Sequence, residues 1–153
     1  MKKILVTLML LLTVFIPVVS ADIVNDLDNK VNEYNQNAEY VPSYLKSLLG
    51  NEVIKLVIVT DDGEEKYIKA ITEDAYITTF EEVDKNTEFD ATIVVGANEA
   101  TVRTIINSQD PLQEFIAAKD NGEIVIEPVG FVNTVKYTVA NVAMKVSQFF
   151  GFM

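Results

Sequence analysis

Between positions 53 and 95 the apolar residues fall in short, β-branched stretches that end in strict alternation. On either side of that block they recur every three or four positions. A period of two belongs to strands and a period near 3.6 to helices with one apolar stripe. A chain that switches period and back again is expected to be α+β, with a sheet built from the middle and covered by helices from the flanks.

Inside the block, 53–60 reads as a first strand, closed by Asp61-Asp62-Gly63, whose Asp-Gly pair is a hairpin signal. Strands at 66–72 and, after a Glu73-Asp74 turn, 75–80 follow. A fourth is expected at 89–95, with Phe89, Ala91, Ile93 and Val95 on one face and Asp90 and Thr92 on the other. Four successive strands with short turns predict an antiparallel meander, and Gly96 is expected to end it. A fifth, short strand at 123–127 is closed by Pro128 and Gly130. The expectation is a five-stranded, mainly antiparallel sheet covered by helices.

The flanks supply those helices. Ile23, Leu27, Val31 and Tyr34 make one stripe, interrupted at Asn35-Gln36-Asn37. Tyr44, Leu45, Leu48 and Leu49 make a second, between Pro42 and Gly50, so 22–50 reads as a helical N-terminal part. Past the fourth strand, Asn98 caps a helix carrying Val102, Ile105 and Ile106. Asp110-Pro111 opens another as N-cap and first helical residue, with Leu112, Phe115 and Ile116 on its buried face and Asn121-Gly122 as its stop.

The last helix is the most apolar. Val132, Val135, Val139, Val142, Val146 and Phe149 repeat at three and four, and Phe131, Ala143, Met144 and Phe150 widen the stripe. Its many β-branched residues make it dependent on packing. Lys136, Asn141 and Lys145 argue against a membrane span. The stripe is wider than a sheet needs. The surplus points to a partner: an apolar ligand, a second copy of the chain, or an envelope protein, the near-heptad spacing favouring a helical mate.

The N-terminus reads as a targeting segment. Lys2 and Lys3 precede an apolar run at 4–16, Pro17 breaks it, and Val19-Ser20-Ala21 supplies small residues for a signal peptidase. The expectation is a signal peptide at 1–21, cleavage near Ala21, and one secreted or extracytoplasmic domain at 22–153. Retained, the segment would tether that domain to the outer membrane face, although the run is shorter than the roughly 20 residues a spanning helix needs. Cleavage removes two lysines and no acid, taking the net charge from −11 to −13.

That charge excludes partners. With 12 basic residues against 23 acidic ones, neither nucleic acid nor docking on anionic lipid by charge alone is expected. Cysteine and histidine are absent, which removes disulfides, Ser–His and Cys–His nucleophiles and the common zinc sites. No glycine-rich phosphate loop and no Asn-x-Ser/Thr sequon is present, and no cofactor is expected. Eleven lysines to one arginine point to an AT-rich prokaryotic genome, bacterial or archaeal. The acidic pairs Asp61-Asp62, Glu64-Glu65, Glu73-Asp74 and Glu81-Glu82 read as solvated turn residues. Acid–base catalysis would need two carboxyls converging on one cleft.

The element order, with some local sequence, resembles the sterol carrier protein type-two family. Asp90-Ala91-Thr92-Ile93 resembles that family's fourth strand. Asp110-Pro111 followed by Phe115 resembles its Pro-then-aromatic stretch, and Asn121-Gly122-Glu123-Ile124-Val125-Ile126 its Gly-led strand. The resemblance spans roughly 53–144 and departs at Glu123, where the family often has lysine, and in the late position of Gly130. It implies a non-enzymatic carrier of fatty-acyl chains, sterols or other lipids, with an apolar tunnel closed by the C-terminal helix. By position it implies Phe115, Ile116, Ile124, Ile126, Val135, Val139 and Met144 as lining residues, and it implies no catalytic or metal-binding residue.

Overall fold

The computed structural model describes residues 22–43, 46–47, 50–130 and 134–149. The expected signal segment, the stripe at Tyr44, Leu45, Leu48 and Leu49, and Phe131, Val132 and Phe150 lie outside the described residues. The regular elements are α1 (Ile23–Gln36), a 3-10 turn (Ala38–Tyr40), β1 (Val53–Val59), β2 (Glu65–Glu73), β3 (Tyr76–Val83) and β4 (Ile93–Asn98). They continue with α2 (Glu99–Asn107), α3 (Pro111–Asn121), β5 (Ile124–Pro128) and α4 (Val135–Phe149).

Local chemistry sets the ends of the helices as the residues predict. Asp22, Asn98 and Asp110 each accept a bond from a first-turn N–H through the side chain, and Pro111 opens α3. Gly122 ends α3 in the left-handed region, φ 82°. The β2–β3 turn is made by Asp74 and Ala75, both at positive φ (49° and 70°), as tight hairpin turns require. The third strand therefore begins at Tyr76.

The strand order is β3-β2-β1-β4-β5. β1–β2, β2–β3 and β4–β5 pair antiparallel, and β1–β4 pairs parallel. This corrects the expected four-strand meander, since the antiparallel run stops at β3 and the chain crosses the sheet to place β4 beside β1. The reason lies in β1. Val57, Ile58 and Val59 are all buried, so this strand is apolar on both faces and needs neighbours on both edges. β3, with Glu81 and Glu82 exposed, tolerates the outer position.

β4 itself is displaced from the expected 89–95. Residues 84–92 form the irregular crossover, and the ladder runs on to Asn98. Gly96 therefore does not end the strands but sits inside β4, paired with Val57 and Val125.

Helices cover the sheet on both faces. On one, Ile58, Ile68, Ala97 and Ile124 pack with Ile23 and Val24 of α1, Val102 of α2 and Ala118 of α3. On the other, Val57, Tyr67 and Val94 pack with Val139, Val142, Ala143 and Val146 of α4. Arg103 of α2 clamps the first layer, reaching Asp26 of α1 at 2.7 Å and Glu99 at 2.7 Å. Asn35 at the end of α1 grips both backbone groups of Ile77 on the outer strand (2.8 and 2.9 Å).

Candidate functional site

The α4 face of the sheet is closed by two different means. α4 lies on β4, β5 and β1. Its seat is Gly96, where an added Cβ would stand 2.3 Å from Val142 Cγ1 and 3.0 Å from Val146 Cγ2. The helix and the strand are in direct backbone-to-side-chain contact there, with no gap. Beside α4, over β2 and the adjoining part of β1, the cover is the crossover 84–92. Of residues 84–90 in it, Phe89 is half-buried and the rest are exposed.

Beneath the crossover lies Lys55. It interrupts the apolar run of β1 and is 3% exposed. Its Nζ donates to the carbonyls of Lys85 (3.4 Å) and Thr87 (3.2 Å). The ring of Phe89 is 5.2 Å from that nitrogen and the ring of Tyr67 5.6 Å. An ammonium carries three donors, and two long bonds and two ring faces are what this one finds. Among the described residues no carboxylate pairs with it. Burial, helped by the charge of Lys136, pulls its pKa below the ordinary lysine value.

Its surroundings are better matched. Tyr67 donates its hydroxyl to Glu65, which also receives Lys85 at 2.9 Å. Burial, then the Glu65 carboxylate, pushes the Tyr67 phenol up to about 12. Burial works to raise Glu65, but bonds from Tyr67 and Lys85 outweigh it and hold the carboxyl low. Lys69, 5.6 Å from the Phe89 ring, pairs with Glu81 at 3.5 Å. Lys136 at the start of α4 reaches Glu88 of the crossover at 3.2 Å. A cleft of about 530 Å³ opens at the end of the β2–β3 ladder, where Tyr67 and Val83 are rimmed by Glu64, Glu65, Lys66, Glu82, Asp84 and Lys85.

The residues implied as a tunnel lining do not converge on one space. Phe115 and Ile124 lie together in the layer under α2 and α3, and Ile116 is half-buried on α3. Val135 and Val139 belong to α4 itself, over the opposite face of the sheet. Ile126 is 37% exposed and Met144 46%. Tyr137 and Phe149 join Met144 as exposed apolar residues of α4.

A second cleft, of about 420 Å³, is rimmed by Asp22, Asp61, Asp62, Glu64 and Glu99. Three of these carboxylates serve the fold. Asp22 caps α1, and Glu99 holds Arg103 and the Asp61 N–H. Asp62 takes the Thr60 hydroxyl, which with the Glu64 N–H holds its carboxyl below the usual range and unsuited to donating a proton near neutrality. Among the described residues no acidic cluster is arranged to hold a metal ion.

Neither Lys55 nor the crossover stands out in the periodicity. The available signal was a lysine on the inward side of the most apolar strand. Phe89, placed after the polar stretch 84–88, belongs to a cover rather than to a strand.

The described residues thus define an α+β protein with a five-stranded mixed sheet, three helices on one face and one helix plus a crossover on the other. No protein-family model matches the chain, and no curated protein does. Among solved structures it is similar to Sterol Carrier Protein 2 from Yarrowia lipolytica in its apo form, at 13% identity and a TM-score of 0.43, over 81% of this chain and 92% of that one. It is also similar to the ubiquinone synthesis protein UbiJ-SCP2, at 14% identity and 0.41, over 77% and 93%. A third is Sterol Carrier Protein 2 Like 2 from Aedes aegypti, at 13% and 0.36, over 71% and 95%. At such values, what this chain binds has to be argued from its own residues.

Proposed function

We propose that this protein binds and carries an apolar, lipid-like molecule without performing chemistry on it. One observation carries the reading. The α4 face is sealed by a packed helix over β4, β5 and part of β1, but beside it by an irregular segment that contributes one aromatic ring, Phe89. Packed cores are normally closed by regular elements. Ala91 and the bond from the Thr92 N–H to the Val53 carbonyl fix the far end of this coil, whereas 84–90 bury only the Phe89 ring, so that part, next to an existing cleft, is a cover that can lift at low cost. The ligand space lies under 84–92, against Tyr67 and Val83. The sterol-carrier resemblance of the sequence implies the same class of ligand, and the leader-like pattern of residues 1–21 supports action outside the membrane.

The test is direct. The purified chain is extracted with organic solvent and the extract analysed by mass spectrometry, and a second sample is titrated with the neutral dye Nile red. A co-purifying lipid, or saturable dye binding that an added lipid displaces, is the expected result. Neither lipid nor displaceable dye would overturn the reading.

A further inference from the structure

The geometry points to Lys55 as the head-group anchor of this carrier: we propose that the bound molecule is an amphiphile with one anionic end, whose charged oxygen pairs with the Lys55 ammonium beneath the crossover. This rests on the carrier reading above and adds the ligand's charge and the residue that selects it.

The argument starts from cost. A buried charge without a counter-ion is expensive, and an apolar residue of similar shape would serve packing as well or better. This chain has 23 acidic residues, yet among the described residues none is set against Lys55. Lys30, Lys66, Lys69, Lys85, Lys119, Lys136 and Lys145 each have a carboxylate partner. Lys46 is exposed and does not need one. Among the described lysines, Lys55 alone combines burial with the lack of a carboxylate partner.

What it does have is replaceable. The carbonyls of Lys85 and Thr87 belong to exposed residues, and once a ligand oxygen takes their place at Lys55 they turn to water. Phe89 and Tyr67 supply ring faces that suit either the ammonium or an apolar chain beside it. The neighbouring cleft shares Tyr67 and Lys85 with this group, and its rim is otherwise mainly charged, with Glu64, Glu65, Glu82 and Asp84. An anionic oxygen at Lys55 would exchange two long carbonyl bonds for one charge-assisted bond, shielded from water by the crossover.

Decanoate and decanol share a chain length and differ in the charge of one end. Displacement of Nile red from the full chain measures both, for the natural sequence and for Lys55→Met. The expected result is a preference of about tenfold for decanoate in the natural sequence, the size of one charged hydrogen bond. Lys55→Met is expected to bring the ratio to about one and to unfold in urea no earlier than the parent. Equal binding of the two probes by the natural chain overturns the anchor while leaving the carrier intact. Binding of neither overturns both. A Lys55→Met variant that keeps the preference, or that loses most of its stability, also overturns the anchor, the second outcome making Lys55 a structural pin.

Discussion

Replacing Gly96 by alanine tests how α4 is held on the sheet. The added methyl would stand 2.3 Å from Val142 Cγ1 and 3.0 Å from Val146 Cγ2, against an ordinary contact of 3.4 Å or more. Val142 is fully buried and β-branched, so it has no rotamer to retreat into and the helix itself must move. Overpacking of this severity costs about 3 kcal/mol, at the top of the usual range. Alanine recovers about 0.5–1 kcal/mol by stiffening the strand, because glycine is costly there. The net loss is about 2 kcal/mol, or roughly 4–8 °C in melting temperature for a chain of this size. Urea and thermal unfolding followed by circular dichroism measure it. Adding Val142→Ala to Gly96→Ala is expected to cost less than the two single changes together, because the shorter side chain at 142 removes the clash and the methyl at 96 fills the space it leaves. A Gly96→Ala variant as stable as the parent would show that α4 does not sit where its valines meet β4.

Two further outcomes follow from the electrostatics. The Tyr67 phenol is raised from 10.0 to about 12 in the folded chain, so its contribution is complete below pH 10 and lost as pH rises through 12. Tyr67→Phe is therefore expected to show a shallower fall in stability between pH 10 and 12 than the parent, measured by urea unfolding across that range; identical slopes would refute the assignment. Arg103 bridges α1 and α2 through Asp26 and Glu99, and Glu99 is 8% exposed. Arg103→Lys loses the two-pronged hold on Glu99 and is expected to cost about 1–2 kcal/mol in chemical unfolding, since lysine does not reproduce that fork; a neutral result would show the clamp to be idle.

Much of the secondary structure was legible because its signals are local. Asn98, Asp110-Pro111 and Gly122 mark helix ends through bonds that each segment makes within itself. The first two strands and the turn between them follow from a β-branched run and Asp62-Gly63. The fourth strand was misplaced because Phe89 and Ala91 continue the alternation of Ile93 and Val95, and a period does not reveal where a ladder begins. The candidate site was harder to read. Seven residues implied by resemblance are divided between the two faces of the sheet and its outside. Lys55, Tyr67 and Phe89, which do meet, are 12 to 34 positions apart and share no pattern.

By itself the sequence determined the class, the helix ends at Asn98, Asp110-Pro111 and Gly122, and the kinds of chemistry excluded by the lack of histidine and cysteine. The tertiary structure decided which strand lies beside β1, why position 96 is glycine, and which lysine is buried without an acid. Period and capping act over a few residues, where the chain's own geometry fixes the partners. Strand order and charge burial depend on groups brought together from distant parts of the chain, and those partners exist once the crossover and α4 have closed over the sheet.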